Sequence, residues 1–330
     1  MATPPHPPEP RSAPKAGSAP EAEAEAGTGT PAPAASPSSS SSPSTPYFAS
    51  PTLAPAHFTS RAHSFNAAAA SYAAHRPSYP PALLDAVEEL AGRPLSGARV
   101  ADIGAGTGIG TAVLVAHGAR PIAVEPGDGM AAEFRRTLPD VPLVRGDGNH
   151  LPLATASADF ITYAQAWHWT DAALSAPEAM RVLRPGGALA LWWNVMDDTV
   201  QWVADQDTRL RTFFADTPSA DPEPSTPTQP STEAEPGTPT PMSAHGNMKN
   251  RISHNTGGLN FLSRKVPWSR RISIEEHLAN LGTHSAFLIH DPESTDRFFA
   301  KERAELLNAF PDGWLEEPYV VELHVARAPH

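Results

Sequence analysis

The sequence predicts an α/β fold: a mostly parallel, doubly wound sheet with helices on both faces. Three observations carry that prediction. Over residues 57–330, short apolar runs alternate with stretches of helical period, the pattern of crossover units between parallel strands. The first of those runs turns directly into a glycine-rich bend, "GAGTG". The stretches too poor in apolar residues to fold also separate cleanly by composition: of 38 prolines, 14 fall in residues 1–56 and 8 in 216–245. Both stretches are read as disordered, the first as a tail and the second as an insertion within one domain, because neither buries enough apolar surface to offset the entropy of ordering. The remaining residues, about 244 of 330, suffice for a single core.

The elements follow in order. In "PPALLDAVEELAG", Leu83, Leu84, Val87 and Leu90 share one helical face, with Pro81 at the start and Gly92 beyond the end. "ARVADI" reads as a buried strand, and a helix runs from Gly108 to about His117. The strand "PIAVE", a helix over 128–137 and the short strand "PLVRGD" come next. "ADFITYAQ" is a strand, a helix ends in "MRVL", "RPGG" is a turn, and Ala188–Trp193 is a strand. Further on, "SIEEHLANL" and "TDRFFAKERAELLNAF" have helical period, while "YVVELHVA" alternates as a half-buried strand does. The basic stretch "FLSRKVPWSRR" is read as a solvated strand edge.

Composition excludes several chemistries. Without cysteine there is no disulfide, no thiolate nucleophile and no Cys-ligated metal. Only 24 basic residues stand against 36 acidic ones, which argues against a nucleic-acid partner, since phosphate contacts need clustered Lys and Arg. No run approaches the roughly 18 apolar residues of a membrane span, and "MATPPHPPEP" lacks the basic start and apolar centre of a signal peptide. The expectation is a soluble cytoplasmic protein with no membrane partner; its oligomeric state is left open. Asp171, Asp197 and Asp198 have no spacing typical of a metal site, so no metal is expected.

The chemistry concentrates where the first strand meets its helix. In "VADIGAGTGIG", Gly104, Gly106 and Gly108 let the backbone take unusual angles and lie against a ligand, and the helix that starts there offers free amides to an anion. A dinucleotide fingerprint, G-x-G-x-x-G, would need glycine at position 109, where Ile109 stands. The pattern is instead acid-x-Gly-x-Gly-x-Gly, with Asp102 as the acid.

That phrase resembles the first motif of the class I S-adenosylmethionine-dependent methyltransferases, and the likeness continues in register. Glu125 closes the second strand, 23 residues after Asp102; Asp147 follows the third in "RGDGNHLPL"; and "MRVLRPGGALAL" is similar to the family's approach to its fifth strand. The resemblance implies a seven-stranded, mostly parallel sheet with the last strand antiparallel and a partly helical cap. It also implies S-adenosyl-L-methionine as cofactor. Asp102 and the loop Gly104, Ala105, Gly106, Thr107, Gly108 would hold its methionine part, Glu125 and Pro126 its ribose, Asp147, Gly148 and Asn149 its adenine, with Gln165 beside the methyl. The plainer readings of Glu125 as a helix cap and of Asp147 as a turn residue stay open. This cofactor carries no phosphate, which agrees with the absence of a Walker lysine, and its ammonium and ribose hydroxyls supply the donors that buried carboxylates require.

On the acceptor side, "SYAAHRPSYP" and "AQAWHWTD" resemble small-molecule methyltransferases of the type 11 group, which includes trans-aconitate methyltransferase. The resemblance implies a lid with Tyr72, Arg76 and Tyr79, and a reacting centre with Gln165, Trp167, His168 and Trp169; Thr283 and Ser285 complete the cap. His168 is the candidate catalytic base if the acceptor is a phenol, hydroxyl or amine; the plainer reading, in which it fixes the loop or helix start by a hydrogen bond, stays open beside it. Arg76 would matter more for a carboxylate. The implied partner is a small-molecule methyl acceptor taking the group on O or N. Two alternatives stand beside this reading: a cofactor-binding regulatory protein without turnover, and an NAD-dependent oxidoreductase on a related sheet.

Overall fold

A computed structural model describes residues 68–216, 258–288 and 290–329. The tail at 1–56 and the insertion beyond Asp216 lie outside these residues. A first helix, α1 (68–75), leads through the extended segment 76–80 into α2 (Pro81–Ala91). Pro81 sits at the start of α2, where its missing N–H costs nothing, and Gly92 ends it in the left-handed region at φ 68°. Then follow β1 (Arg99–Ile103), α3 (Ile109–Ala116), β2 (Arg120–Glu125), α4 (Asp128–Thr137), β3 (Leu143–Arg145), β4 (Ala158–Ala164), a 3₁₀ turn at Trp167–Trp169, α5 (Ala172–Val182) and β5 (Leu183–Met196). The chain finishes with α6 (Gln201–Asp216), β6 (Leu262–Ser273), α7 (Ile274–Gly282), the short α8 (Ser285–Leu288), α9 (Pro292–Ala309) and β7 (Trp314–Arg327).

The seven strands form one sheet in the order β3-β2-β1-β4-β5-β7-β6. β1 pairs in parallel with both β2 and β4, and β4 with β5; β7 is antiparallel to β5 and to β6. The chain therefore winds outward from β1 to β3 and then returns to the other side of β1 for β4. This switch point opens a crevice beyond the carboxyl ends of β1 and β4. Both faces are covered, as a parallel sheet requires. Ala101, Ile103, Ile161, Leu189, Leu191 and Trp193 pack towards α5, while Val100, Phe160, Ala190 and Trp192 pack towards α2 and α3. The adjacent tryptophans of β5 thus serve opposite cores, by the two-residue period of a strand.

Three features depart from the sequence-based assignment. β5 takes in the "RPGG" turn and extends to Met196. The basic stretch is indeed an edge strand, β6, but it is only partly solvated: Arg264 and Lys265 pair with exposed Glu89 and with Glu322, whereas Arg270 donates from Nε to Glu317, a carboxylate with no exposure at all (2.6 Å). The third is α6. Its inward row includes Val203, Gln206, Asp207 and Leu210, so two buried positions hold polar residues and the apolar period is interrupted.

Those polar residues belong to a buried network in the cap. Glu302 accepts from Arg209 (Nε and Nη2, both 2.7 Å) and from Gln206 Nε2 (2.9 Å). Gln206 meets His277 Nε2, and His277 Nδ1 donates to Glu317 Oε1 at 2.5 Å. Glu317 also accepts the Tyr319 hydroxyl at 2.9 Å. Burial by itself raises the Glu317 carboxyl, but the bonds and charges of His277 and Arg270 outweigh it and hold the group below the usual carboxylate range.

Candidate active site

The bend after β1 is shaped by its neighbours. Gly104 (φ 65°) faces Ala166, and a Cβ there would lie 2.6 Å from the Ala166 Cβ; at Gly108 (φ 96°) it would meet Leu138 and Phe134. Gly106 (φ 59°) is different: a Cβ there would meet nothing within 4 Å. Packing therefore demands the outer two glycines, while the middle one exposes bare main chain to open space. Beside it, Thr107 is buried and its hydroxyl has no hydrogen-bond partner. Ala105 packs under the bend with Ala123 and Phe134.

Asp102 lies beneath the bend and is fully buried. Its carboxylate accepts from Thr111 Oγ1 (2.6 Å) and Thr162 Oγ1 (2.8 Å). Burial pushes its pKa up to about 6, against the pull of the two hydroxyls. Each carboxylate oxygen still has a second acceptor site. Glu125, at the tip of β2, is 6% exposed and spans the same bend: Oε2 accepts from Gly106 N (2.8 Å) and Oε1 from Gly127 N (2.7 Å). Burial raises its carboxyl, and the two amides and Arg145 oppose the rise. Arg145, at the end of β3, binds the Glu125 carbonyl at 3.0 Å, the exposed Pro126 carbonyl and Asp128, fixing the turn that follows β2. No sequence motif marked Arg145; a charged residue closing an edge strand was the available signal.

At the next tip, Asp147 is exposed and its Oδ1 accepts from the amides of Asn149 (2.7 Å) and His150 (3.2 Å), so it does form the turn that the plainer reading gave it. Asn149 Oδ1 accepts from Asp171 N at 2.8 Å, joining this turn to the start of α5. Gly148 is buried against Thr170 and Tyr163, whose atoms would lie 2.7 and 3.1 Å from a Cβ.

Beyond β4, Gln165 takes a left-handed backbone conformation (φ 60°), rare for a residue with a side chain and concentrated at functional sites. Its amide donates to the Trp192 carbonyl (2.9 Å) and its Nε2 to the Asn194 carbonyl (3.2 Å). Trp167 is a core side chain, 1% exposed and edge-on to Tyr163; Trp169 and His168 are half-buried, their rings 4.8 Å apart. The Trp193 indole N–H donates to His168 Nδ1 at 3.1 Å. In the neutral ring this leaves the proton on Nε2, so His168 presents a donor there and not a basic lone pair.

The segment 76–80 lies near the same crevice. Tyr79 sets its ring edge-on to Trp192, centroids 5.9 Å apart, and its phenol is raised by burial and by nearby Tyr72 and Asp102. The Trp192 side chain is fully buried beside Tyr79. The Arg76 guanidinium stacks on Tyr72 at 4.9 Å and donates to the Thr283 carbonyl at 3.3 Å, while its buried Nε has no partner. Thr283 is buried, with its hydroxyl on the Asn280 carbonyl; Ser285 begins α8.

Asp102, Glu125, Gln165 and Tyr79 thus gather near the switch point, and Asp147 and Asn149 form the adjoining loop. The unpartnered Thr107 hydroxyl and the open face of Gly106 fit a ligand that offers both donors and acceptors. A separate cavity of about 500 Å³, lined by Arg93, Asp159, Gly186 and Arg327, contains none of these residues. Among the described residues no group of three or more His, Cys, Asp or Glu could hold a metal ion, and no helix is long and apolar enough to cross a membrane.

Comparison with known proteins agrees with this geometry. A family model described as a methyltransferase domain matches residues 101–191. An uncharacterized methyltransferase of Mycobacterium tuberculosis is 43% identical over 142 residues, 43% of this chain and 56% of that protein. An uncharacterized methyltransferase-like protein of Schizosaccharomyces pombe is 34% identical over 157 residues, 47% of this chain and 60% of its own length. The chain spans about half the length of the curated relatives it matches. A solved methyltransferase structure from Anaeromyxobacter dehalogenans shares the fold with a TM-score of 0.57 at 23% identity, over 77% of this chain and 99% of that one. Together, residues 101–191 are similar to a methyltransferase domain, and the seven-stranded sheet that carries them has the fold of that solved structure.

Proposed function

We propose that the protein transfers a methyl group from S-adenosyl-L-methionine to a small-molecule acceptor by in-line displacement. The observation that best supports the reading is the bend between Asp102 and Glu125, where bare main chain at Gly106 lies between two buried carboxylates. When bound, the cofactor supplies an electrophilic methyl on a sulfonium sulfur. Asp102 and the bend hold the methionine part, Glu125 and Pro126 the ribose, and Asp147, Gly148 and Asn149 the adenine edge. Gln165 stands at the methyl. The chain's contribution is chiefly positional, since an acceptor held about 3 Å from the methyl and in line with the leaving sulfur needs no covalent intermediate.

Tyr72, Arg76, Tyr79 and Trp169 line the acceptor side, and Trp167 supports them from the core. His168, the candidate catalytic side chain, orients an acceptor oxygen through Nε2–H while Trp193 occupies Nδ1; a base role at Nε2 is open only to the other tautomer. His168→Ala should then lower turnover with little change in affinity for S-adenosylhomocysteine, and full activity would make the residue structural.

The reading is tested by calorimetry and thermal shift with S-adenosylhomocysteine against NAD. Stabilisation by NAD alone overturns it. Transfer of a labelled methyl from S-adenosyl-L-methionine into a metabolite extract then separates an enzyme from a silent binder. The titration of Asp102 adds a sign. Its folded pKa, about 6, lies above the ordinary 3.8, so the carboxylate is ionised above pH 6 and neutral below it. If it faces the cofactor's ammonium, affinity for S-adenosylhomocysteine falls as pH drops through about 6, and Asp102→Asn removes that dependence. A flat profile in the native protein would detach Asp102 from the ligand.

A further inference from the structure

We propose that Asn194, which no motif marks, is the positioning residue that latches segment 76–80 over the crevice and couples it to Gln165. The consequence for ligand exchange rests on the methyl-transfer reading; the latch itself does not.

Asn194 lies near the end of β5, in register with Val321 of β7. Its Nδ2 donates to the Ser78 carbonyl at 3.0 Å, and its Oδ1 accepts the Trp268 indole N–H at 2.8 Å. An indole N–H only donates and a carbonyl only accepts, so the orientation of the amide is fixed by its neighbours. From behind, Asn194 is braced: Trp268 stacks on Tyr319 (5.2 Å, 20° between planes), and the Tyr319 hydroxyl bonds Glu317. In front, it holds the residue immediately before Tyr79, whose ring meets Trp192.

Two other bonds tie α1 and its following segment down, Arg270 Nη2 to the His75 carbonyl and Arg76 Nη2 to the Thr283 carbonyl, both at 3.3 Å. The Asn194 bond is the shortest of the three. It is also the one made by a residue that touches Gln165, since the Asn194 carbonyl accepts from Gln165 Nε2. The side chain therefore sets the lid while the main chain of the same residue sets the strained glutamine, and a shift in either is felt by the other.

Aspartate at this position separates the two functions. Ionised, it still accepts from Trp268 but turns a carboxylate oxygen towards the Ser78 carbonyl. In the full chain, Asn194→Asp at pH 8 should release S-adenosylhomocysteine about tenfold faster than the native protein in stopped-flow. It should also lose hydrogen-exchange protection in residues 72–79. Trp268→Phe, which keeps an aromatic ring on Tyr319 but removes the N–H, should shift both readouts in the same direction by less. A purely structural role would lower the melting temperature without a change in exchange confined to the lid. If Asn194→Asp releases the ligand and exchanges its lid as the native protein does, the latch is overturned. If the native protein binds no S-adenosylhomocysteine, the cofactor reading fails, and exchange in ligand-free native and variant protein decides the latch alone.

Discussion

Replacing Glu317 with alanine should destabilise the fold by about 3–5 kcal/mol, because it leaves a half-buried arginine and a buried histidine facing an empty position. Glu317 has no exposure, and its carboxylate takes the Arg270 guanidinium, the His277 ring and the Tyr319 hydroxyl. Urea denaturation should show a lower midpoint with an unchanged slope, since the same surface is exposed on unfolding. A change below about 1 kcal/mol would mean that Arg270 and His277 find other partners. The pH dependence has a definite sign. The folded carboxyl is held below its ordinary value, so its contribution is complete above the unfolded pKa and is lost as pH falls through the folded one. Glu317→Ala should therefore flatten the acid limb of the stability profile as well as lower it.

Glu125→Ala should weaken S-adenosylhomocysteine binding by about a hundredfold, the scale expected for losing two hydrogen bonds from a buried carboxylate. Glu125→Gln should fall between, since one of its two oxygens is exchanged for a donor. The carboxylate also holds the amides of Gly106 and Gly127, so the variants should lose a little stability too. Calorimetry well below the melting temperature separates the two effects. Unchanged affinity in a folded Glu125→Ala protein would remove the ribose assignment and leave Glu125 as a brace for the bend.

The fold was legible because a parallel sheet writes itself in alternating periods: β1, β2, β4 and β5 and the helices between them fall where apolar runs and helical faces predict them. The glycines of the bend were equally legible, since left-handed backbone at three positions admits little else. What hid α6 was the same chemistry that builds the cap. Gln206 and Asp207 occupy inward positions that apolar residues usually hold, and their partners His277, Glu302 and Arg211 come from elsewhere in the chain or the next turn. Likewise, the sequence marked the charge of Arg270 but not its direction. Arg264 and Arg271 pair at the surface with Glu89 and Asp312, whereas Arg270 reaches the buried Glu317.

By itself, then, the sequence determined the order of strands and helices from α2 to β5, the bare bend after the first strand, and the acids at successive strand tips, because these depend on periodicity and on local backbone freedom. Only the tertiary structure decided that two threonines take the Asp102 carboxylate, that Trp193 sets the proton on His168, that Trp167 is core, and that Asn194 joins Ser78 to Gln165. Those are contacts between residues far apart in the chain. A hydrogen bond's direction depends on which partner arrives in space, and no local pattern records it.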